Sequence, residues 1–142
     1  YMGEDCHSHG IQFGYHNHDF EFRKMEGTAT TMYDYILDNT DPKLVKMEMD
    51  LYWVRFANED PIQWINKHPG RFSAFHVKDM ADTPARESIE IGDGVIDFSP
   101  IFNLKAARSV QYYIVELESY RTTSMDGVNT CLQRLKKIVH QA

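Results

Sequence analysis

Two histidines, His16 and His18, follow directly on the apolar run Ile11-Gln12-Phe13 and are separated by Asn17, with Asp19 and Glu21 close behind. Side chains two apart on a strand share a face, so Gln12, Gly14, His16 and His18 point one way and Phe13 and Tyr15 the other. Two imidazoles on one face offer nitrogen donors to a divalent metal, or a ligand with a base beside it. Such a pair also serves as hydrogen-bonded polar residues at a strand end. Three later segments finish in groups of the same kind: Met49-Asp50, Phe75-His76, and Val115-Glu116 with Glu118 beyond. Two carboxylates with one or two imidazoles, and positions left for water or substrate, suit Mn²⁺, Mg²⁺, Zn²⁺ or Co²⁺. Singly, each has a plainer use. Asp50 could cap the turn at 51–53, His76 could be a core histidine, and Glu116 could pair with Lys78. Four such groups at successive strand ends outweigh those uses taken one by one.

Strand-then-helix units, four of them, must position these groups. A strand over 11–18 leads through Glu26-Gly27-Thr28 to a helix over 32–37, closed by Asn39 and Pro42. The next strand, 44–50, alternates strictly: Val45, Met47 and Met49 on one face, Lys46, Glu48 and Asp50 on the other. Asp60-Pro61 is an N-cap followed by proline at the first helical position. That helix carries Ile62, Trp64 and Ile65 and stops at Pro69-Gly70. The third strand, 72–78, sets Phe75 and Val77 against Ala74, His76 and Lys78. A polar loop over 79–97 contains Gly92-Asp93-Gly94, where glycines would let the chain turn close to the strand ends or simply turn. Ser99-Pro100 opens a helix with Ile101, Phe102 and Leu104, and 111–116 is the fourth strand. The last helix repeats Met125, Val128, Cys131, Leu132, Leu135, Ile138 and Val139 at helical spacing, which assigns them to the core.

Alternating strands and helices predict an α/β fold with a parallel sheet and right-handed crossovers. The steps from His16 to Asp50, His76 and Glu116 are 34, 26 and 40 residues. Their mean is close to the roughly 31 per unit of an eight-unit β/α barrel of the TIM type. A small doubly wound sheet has similar spacing. Polarity separates the two, because strands covered by helices on both faces are continuously apolar. The Lys46, Glu48, Asp50 face fits a polar barrel interior better. Four units make half a barrel, so residues 1–142 are expected to form one unit, the C-terminal half of a longer protein.

The chain has 142 residues, 42% hydrophobic and 25% charged, within the ordinary range for a globular protein. Fifteen basic against 21 acidic residues give a net charge of -6, which offers nucleic acid no general attraction. No apolar run is long enough to cross a bilayer. Cys6 and Cys131 stand far apart and form no metal or redox pattern. The opening Tyr1-Met2-Gly3-Glu4-Asp5 is neither a signal peptide nor a natural-looking start. A cytoplasmic location is expected, with an upstream signal left open.

Five segments in order carry a resemblance: Tyr15-His16-Asn17-His18-Asp19-Phe20-Glu21-Phe22, Met49-Asp50-Leu51-Tyr52-Trp53, Phe75-His76-Val77-Lys78-Asp79, Ile91-Gly92-Asp93-Gly94-Val95-Ile96-Asp97-Phe98 and Ile114-Val115-Glu116. The chain resembles the sugar phosphate isomerase/epimerase family of xylose isomerase-like TIM barrels, over nearly its whole length. The resemblance implies strands five to eight, with strands one to four lying before Tyr1. It also implies one divalent metal, Mn²⁺ foremost, held by His16, Asp50, His76 and Glu116, with His18 open as the alternative to His16. Ketose epimerases of this family have a glutamate at the first of these positions. A histidine there is similar to the inosose dehydratase-like members. The implied activity is sugar isomerisation or epimerisation through an enediolate, with a dehydratase-like lyase or a non-catalytic, self-associating half-barrel as alternatives. Glu116 is the expected base, and His16 or His18 the second acid/base, since imidazole titrates near neutral pH. Lys78 is assigned to a substrate hydroxyl or carboxylate, or to an ion pair with Glu116 or Glu118. Trp53 is assigned to sugar stacking or to packing. The expected partner is a small sugar or cyclitol, with no nucleic acid or membrane, and a homo-oligomer is expected from the unpaired sheet edges.

Overall fold

A computed structural model describes residues 1–141. The order is α1 (Met2–Ser8), β1 (Phe13–His16), a 3-10 turn (Phe20–Phe22), α2 (Met32–Asp38), β2 (Val45–Asp50), α3 (Leu51–Phe56), α4 (Pro61–Lys67), β3 (Phe72–Val77), β4 (Asp79–Met80), β5 (Ser88–Ile89), α5 (Ser99–Phe102), a second 3-10 turn (Lys105–Ser109), β6 (Tyr112–Val115) and α6 (Ser124–Gln141). Strands β1, β2, β3 and β6 pair in that order, each parallel to the next, while β4 and β5 form a small antiparallel ribbon. A parallel sheet whose spatial order follows the chain order is a segment of a barrel wall. The chain is a half barrel.

The sequence explains each start. Thr31 caps α2 by accepting from the Asp34 N–H at 3.0 Å. Asp60 caps α4 through the Ile62 N–H at 2.9 Å, with Pro61 in the first turn. Alternation in β2 sends Met47 and Met49 into the layer between sheet and helices, where both are fully buried. Phe72, Phe75 and Val77 join them from β3, and Tyr33, Trp64, Ile65 and Ile101 come from the helices. Each such side chain contributes about 1.5–3 kcal/mol on burial. A bulge makes the β3 set possible. Phe72 pairs with Met47 and Ala74 with Glu48, leaving Ser73 as an extra residue. Phe72 thereby turns to the core without disturbing the inward direction of Ala74 and His76.

The opposite face of the sheet is the barrel interior. It forms a concavity of about 470 Å³ lined by Gln12, Lys46, Glu48, Gln111, Tyr112 and Ile114 among others. Tyr112 and Ile114 lie exposed on it.

Three expectations need correction. The first strand ends at His16 rather than continuing to 18, because Asn17 turns its side chain into the protein and replaces the next ladder pair. The polar stretch 79–97 contains the β4–β5 ribbon, whose two-residue strands are too short for a periodicity signal. In α6, Cys131 and Leu135 are buried and Ile138 and Val139 partly so, but Met125, Val128 and Leu132 are exposed. These three lie on one flank of a stripe wider than the strip of helix that faces the sheet. No helix among the described residues is long and apolar enough to cross a membrane.

Candidate metal centre

The C-terminal ends of β1, β2 and β3 converge, and His16, Asp50 and His76 meet there with one potential ligand atom each, all within 4.8 Å of one another. Register dictates this. His16 pairs with Glu48, two residues before Asp50, and Asp50 pairs with His76. His16 Nε2 lies 3.5 Å from Asp50 Oδ2, and His76 Nδ1 lies 3.7 Å from the same oxygen. The two Nδ1 atoms are 3.4 Å apart.

Asp50 explains why this cluster is unusual. It caps α3, as its position before the turn suggested, but only with Oδ1, which accepts from the Trp53 N–H at 3.0 Å. Oδ2 is buried and has no hydrogen-bond partner. Burial pushes the Asp50 carboxyl up to about 7, and burial followed by the neighbouring His76 lowers the His16 imidazole. An unpartnered buried carboxylate oxygen is costly. A cation answers that cost. Donors held at about 2.0–2.2 Å around one ion stand about 3.0–3.5 Å apart, and the 3.5 and 3.7 Å from Asp50 Oδ2 to the two imidazoles come near that. The residues therefore fit a divalent ion with a mixed imidazole and carboxylate set.

Glu116, just past β6, sits on the other side of His76, with its Oε2 3.2 Å from His76 Nε2. It also lies 3.5 Å from Lys78 Nζ. A carboxylate on the far nitrogen of a ligating imidazole is a common orienting arrangement. His18 is not drawn into the triad. Past the end of β1, its exposed ring stacks on Phe20 at 6.1 Å and tilts against Trp53 at 5.4 Å. Trp53 is half-buried at the rim and packs on Tyr52 and Phe56. Lys78 is fully buried, its ammonium 4.6 Å from the Tyr52 ring centroid and 4.8 Å from that of Trp53, paired with Glu118 at 2.7 Å. Of the two uses foreseen for Lys78, the ion pair is present.

Glu48 reads in sequence only as a polar face residue. Its carboxylate lies one layer below the triad, 3.6 Å from His16 Nδ1 and 3.9 Å from His76 Nδ1. The two-residue step from Asp50 on the same strand face was the available signal. Gly92 and Gly94 serve the loop rather than the cluster. Asp79, fully buried, accepts from the N–H groups of Met80, Gly92, Gly94 and Ile96 at 2.8–3.1 Å. Gly92 adopts φ +86°, and a Cβ on Gly94 would run into Asp79 Oδ1 and the Met80 carbonyl.

A family model described as xylose isomerase-like TIM barrel matches residues 1–138. The chain belongs to that family. Among curated relatives, the inosose dehydratase of Geobacillus thermodenitrificans is 31% identical over 135 residues, covering 82% of this chain and 44% of that protein. The inosose dehydratase of Clostridium tetani is 27% identical over 135 residues, with the same coverage. Among solved structures, a sugar phosphate isomerase/epimerase from Parabacteroides distasonis matches with a TM-score of 0.79 at 34% identity, covering 94% of this chain and 48% of that one. An L-ribulose 3-epimerase matches with a TM-score of 0.71 at 15% identity, covering 98% and 50%, a likeness of fold. The chain spans about half the length of the curated relatives it matches.

Proposed function

We propose that this chain carries the metal-binding half of a sugar- or cyclitol-modifying enzyme that works through an enediolate, with His16, Asp50 and His76 as ligands. The single observation that carries this reading is the buried, partnerless Asp50 Oδ2 between two imidazoles. Mn²⁺ is the leading ion by family resemblance; two imidazoles with one carboxylate also suit Zn²⁺ or Co²⁺, and suit Mg²⁺ less. When bound, such an ion supplies Lewis-acid polarisation of a substrate carbonyl and its neighbouring hydroxyl.

The chain's own residues supply the rest. Glu116, one third exposed beside His76, is the base that takes the proton from the carbon next to the carbonyl. The Lys78 ammonium fixes Glu116 and Glu118 at the mouth, and its seat between two aromatic faces keeps it there. His18, outside the ligand set, returns a proton to the other face of the enediolate in an isomerase or epimerase; His16 would take that part only if it did not hold the metal. In a dehydratase the same proton goes to a departing hydroxyl, which leaves as water. Glu116 as a direct ligand, the role implied by family resemblance, is an alternative to its orienting role on His76.

Two readings of the product stand side by side. Epimerisation or isomerisation is supported by the 34% identical solved structure. Dehydration is supported by the 31% identical inosose dehydratase and by a histidine at position 16, where a paired carboxylate would be needed for two-base epimerisation. Titration with Mn²⁺ followed by electron paramagnetic resonance, on this chain and on His76→Ala, tests the metal reading. Saturable binding at one site, lost in the variant, is expected; equal binding by both would sink it. Solvent-deuterium incorporation into ketoses, against loss of water from inososes, then separates the two products in the full-length protein.

A further inference from the structure

Asn17 stands between the two histidines and offers no ligand to the cluster, yet its side chain is fully buried. The parallel ladder of β1 and β2 ends one residue earlier, at His16 opposite Glu48. Beyond that point the Asn17 amide takes the place of a backbone pair. Its Oδ1 accepts from the Asp50 N–H at 3.1 Å and from the Tyr33 hydroxyl at 3.4 Å. Its Nδ2 donates to the Asp50 and His18 carbonyls, each at 3.4 Å. Asp50 is thus held through both of its backbone groups, while its Oδ1 is engaged by the Trp53 N–H. Only Oδ2 is left over, and it is the atom that faces His16 and His76.

We infer that Asn17 is a positioning residue for the metal centre: it clamps the end of β1 to Asp50 and so fixes the separation between two ligands, His16 and Asp50. The inference rests on the metal reading above. Asparagine suits the place because one side chain must both accept and donate across a strand end. Its removal leaves the Asp50 N–H buried without an acceptor, so Asp50 must shift to recover one. Residues that orient metal ligands typically change affinity about 10- to 100-fold when replaced. A purely structural brace would lower stability and leave the affinity of the folded protein unchanged.

The test compares Mn²⁺ affinity and resonance line shape in the 142-residue chain and in Asn17→Ala, Asn17→Leu and Tyr33→Phe, with folding followed by circular dichroism. Leucine fills the asparagine volume and covers the case in which alanine does not fold. Tyr33→Phe removes a bond to the same Oδ1 from the core side and releases nothing on Asp50. The expected result is binding weakened about 10- to 100-fold in either folded Asn17 variant, with Tyr33→Phe like the parent. A folded Asn17 variant with the parent's affinity overturns the clamp. So does a Tyr33→Phe loss as large as that of the Asn17 variants, which would mark general core damage. Amide exchange on the unsubstituted chain gives a reading that needs no variant. The clamp requires slow exchange at Asp50, and exchange as fast as in the exposed 26–28 turn overturns it. A parent chain that binds no Mn²⁺ at all would instead remove the metal reading beneath the inference.

Discussion

Asp50 does two jobs with two oxygens, and they pull stability and function apart. Oδ1 caps α3 and Oδ2 is buried without a partner. Replacing this carboxylate by an amide would keep the capping oxygen and turn an NH₂ donor toward the imidazole nitrogens. In chelator, Asp50→Asn should therefore be more stable than the parent by about 1–2 kcal/mol, while Mn²⁺ binding is lost. Urea unfolding of both proteins checks this, and a lower midpoint for the variant would contradict it. His68 gives a residue-scale prediction of opposite origin. Burial, then the adjacent Lys67, lowers its imidazole below the ordinary 6.5. The unfolded chain then holds more protons than the native one, so His68 contributes stability that is complete above about pH 6.5 and lost as pH falls toward the folded value. The stability of the parent relative to His68→Gln should fall from about pH 7 to about pH 5; a constant difference would refute it. At this scale His16, Asp50 and His76 were legible, because a period of two and a strand end suffice to aim them. Asn17 and Glu48 were not, because their roles exist only once a neighbouring strand is in register.

Among the elements, the β3 end and the loop after it depend on one buried acid. Asp79 accepts four backbone N–H groups and has no cation beside it among the described residues. Asp79→Asn would point an NH₂ group at two of those donors. We expect a loss of about 2–4 kcal/mol, with faster amide exchange at Gly92, Gly94 and Ile96; unchanged protection there would count against the loop's dependence on Asp79. The strong helix start at Asp60 could be read from sequence, because capping is local chemistry. The α3 segment, Leu-Tyr-Trp-Val-Arg-Phe, reads only as a turn, since aromatic and β-branched residues are weak helix formers and its cap is supplied by a site residue. The β4–β5 ribbon was hidden for want of length. The α6 stripe was correctly helical but too wide, since spacing identifies a face and not how much of it is covered.

For the whole molecule, strand polarity was enough to distinguish half a barrel from a doubly wound sheet, which spacing alone leaves open. What neither could give is how the open side behaves. Strands β1 and β6 each have one edge without a partner strand among the described residues, and Tyr112 and Ile114 lie exposed on the concave face between them. Such edges and apolar faces template further pairing. The 142-residue chain by itself should self-associate in a concentration-dependent way. Size-exclusion with light scattering checks this, and a monomer across the whole concentration range would rule it out.

The strand order also bears on how the sheet is assembled. Each main strand lies beside its predecessor among the four, so no pairing has to reach across an unformed neighbour. Contacts of this nearest-neighbour kind close modest loops and let structure propagate one unit at a time, as in solenoid repeats. The longest closure joins β3 to β6, because the ribbon, α5 and the second 3-10 turn intervene. On loop length, the Glu116 side of the cluster is expected to reach His76 last during folding. Stopped-flow folding with a probe on β6 should show it trailing a probe on β2; simultaneous signals would mean that the four strands condense together.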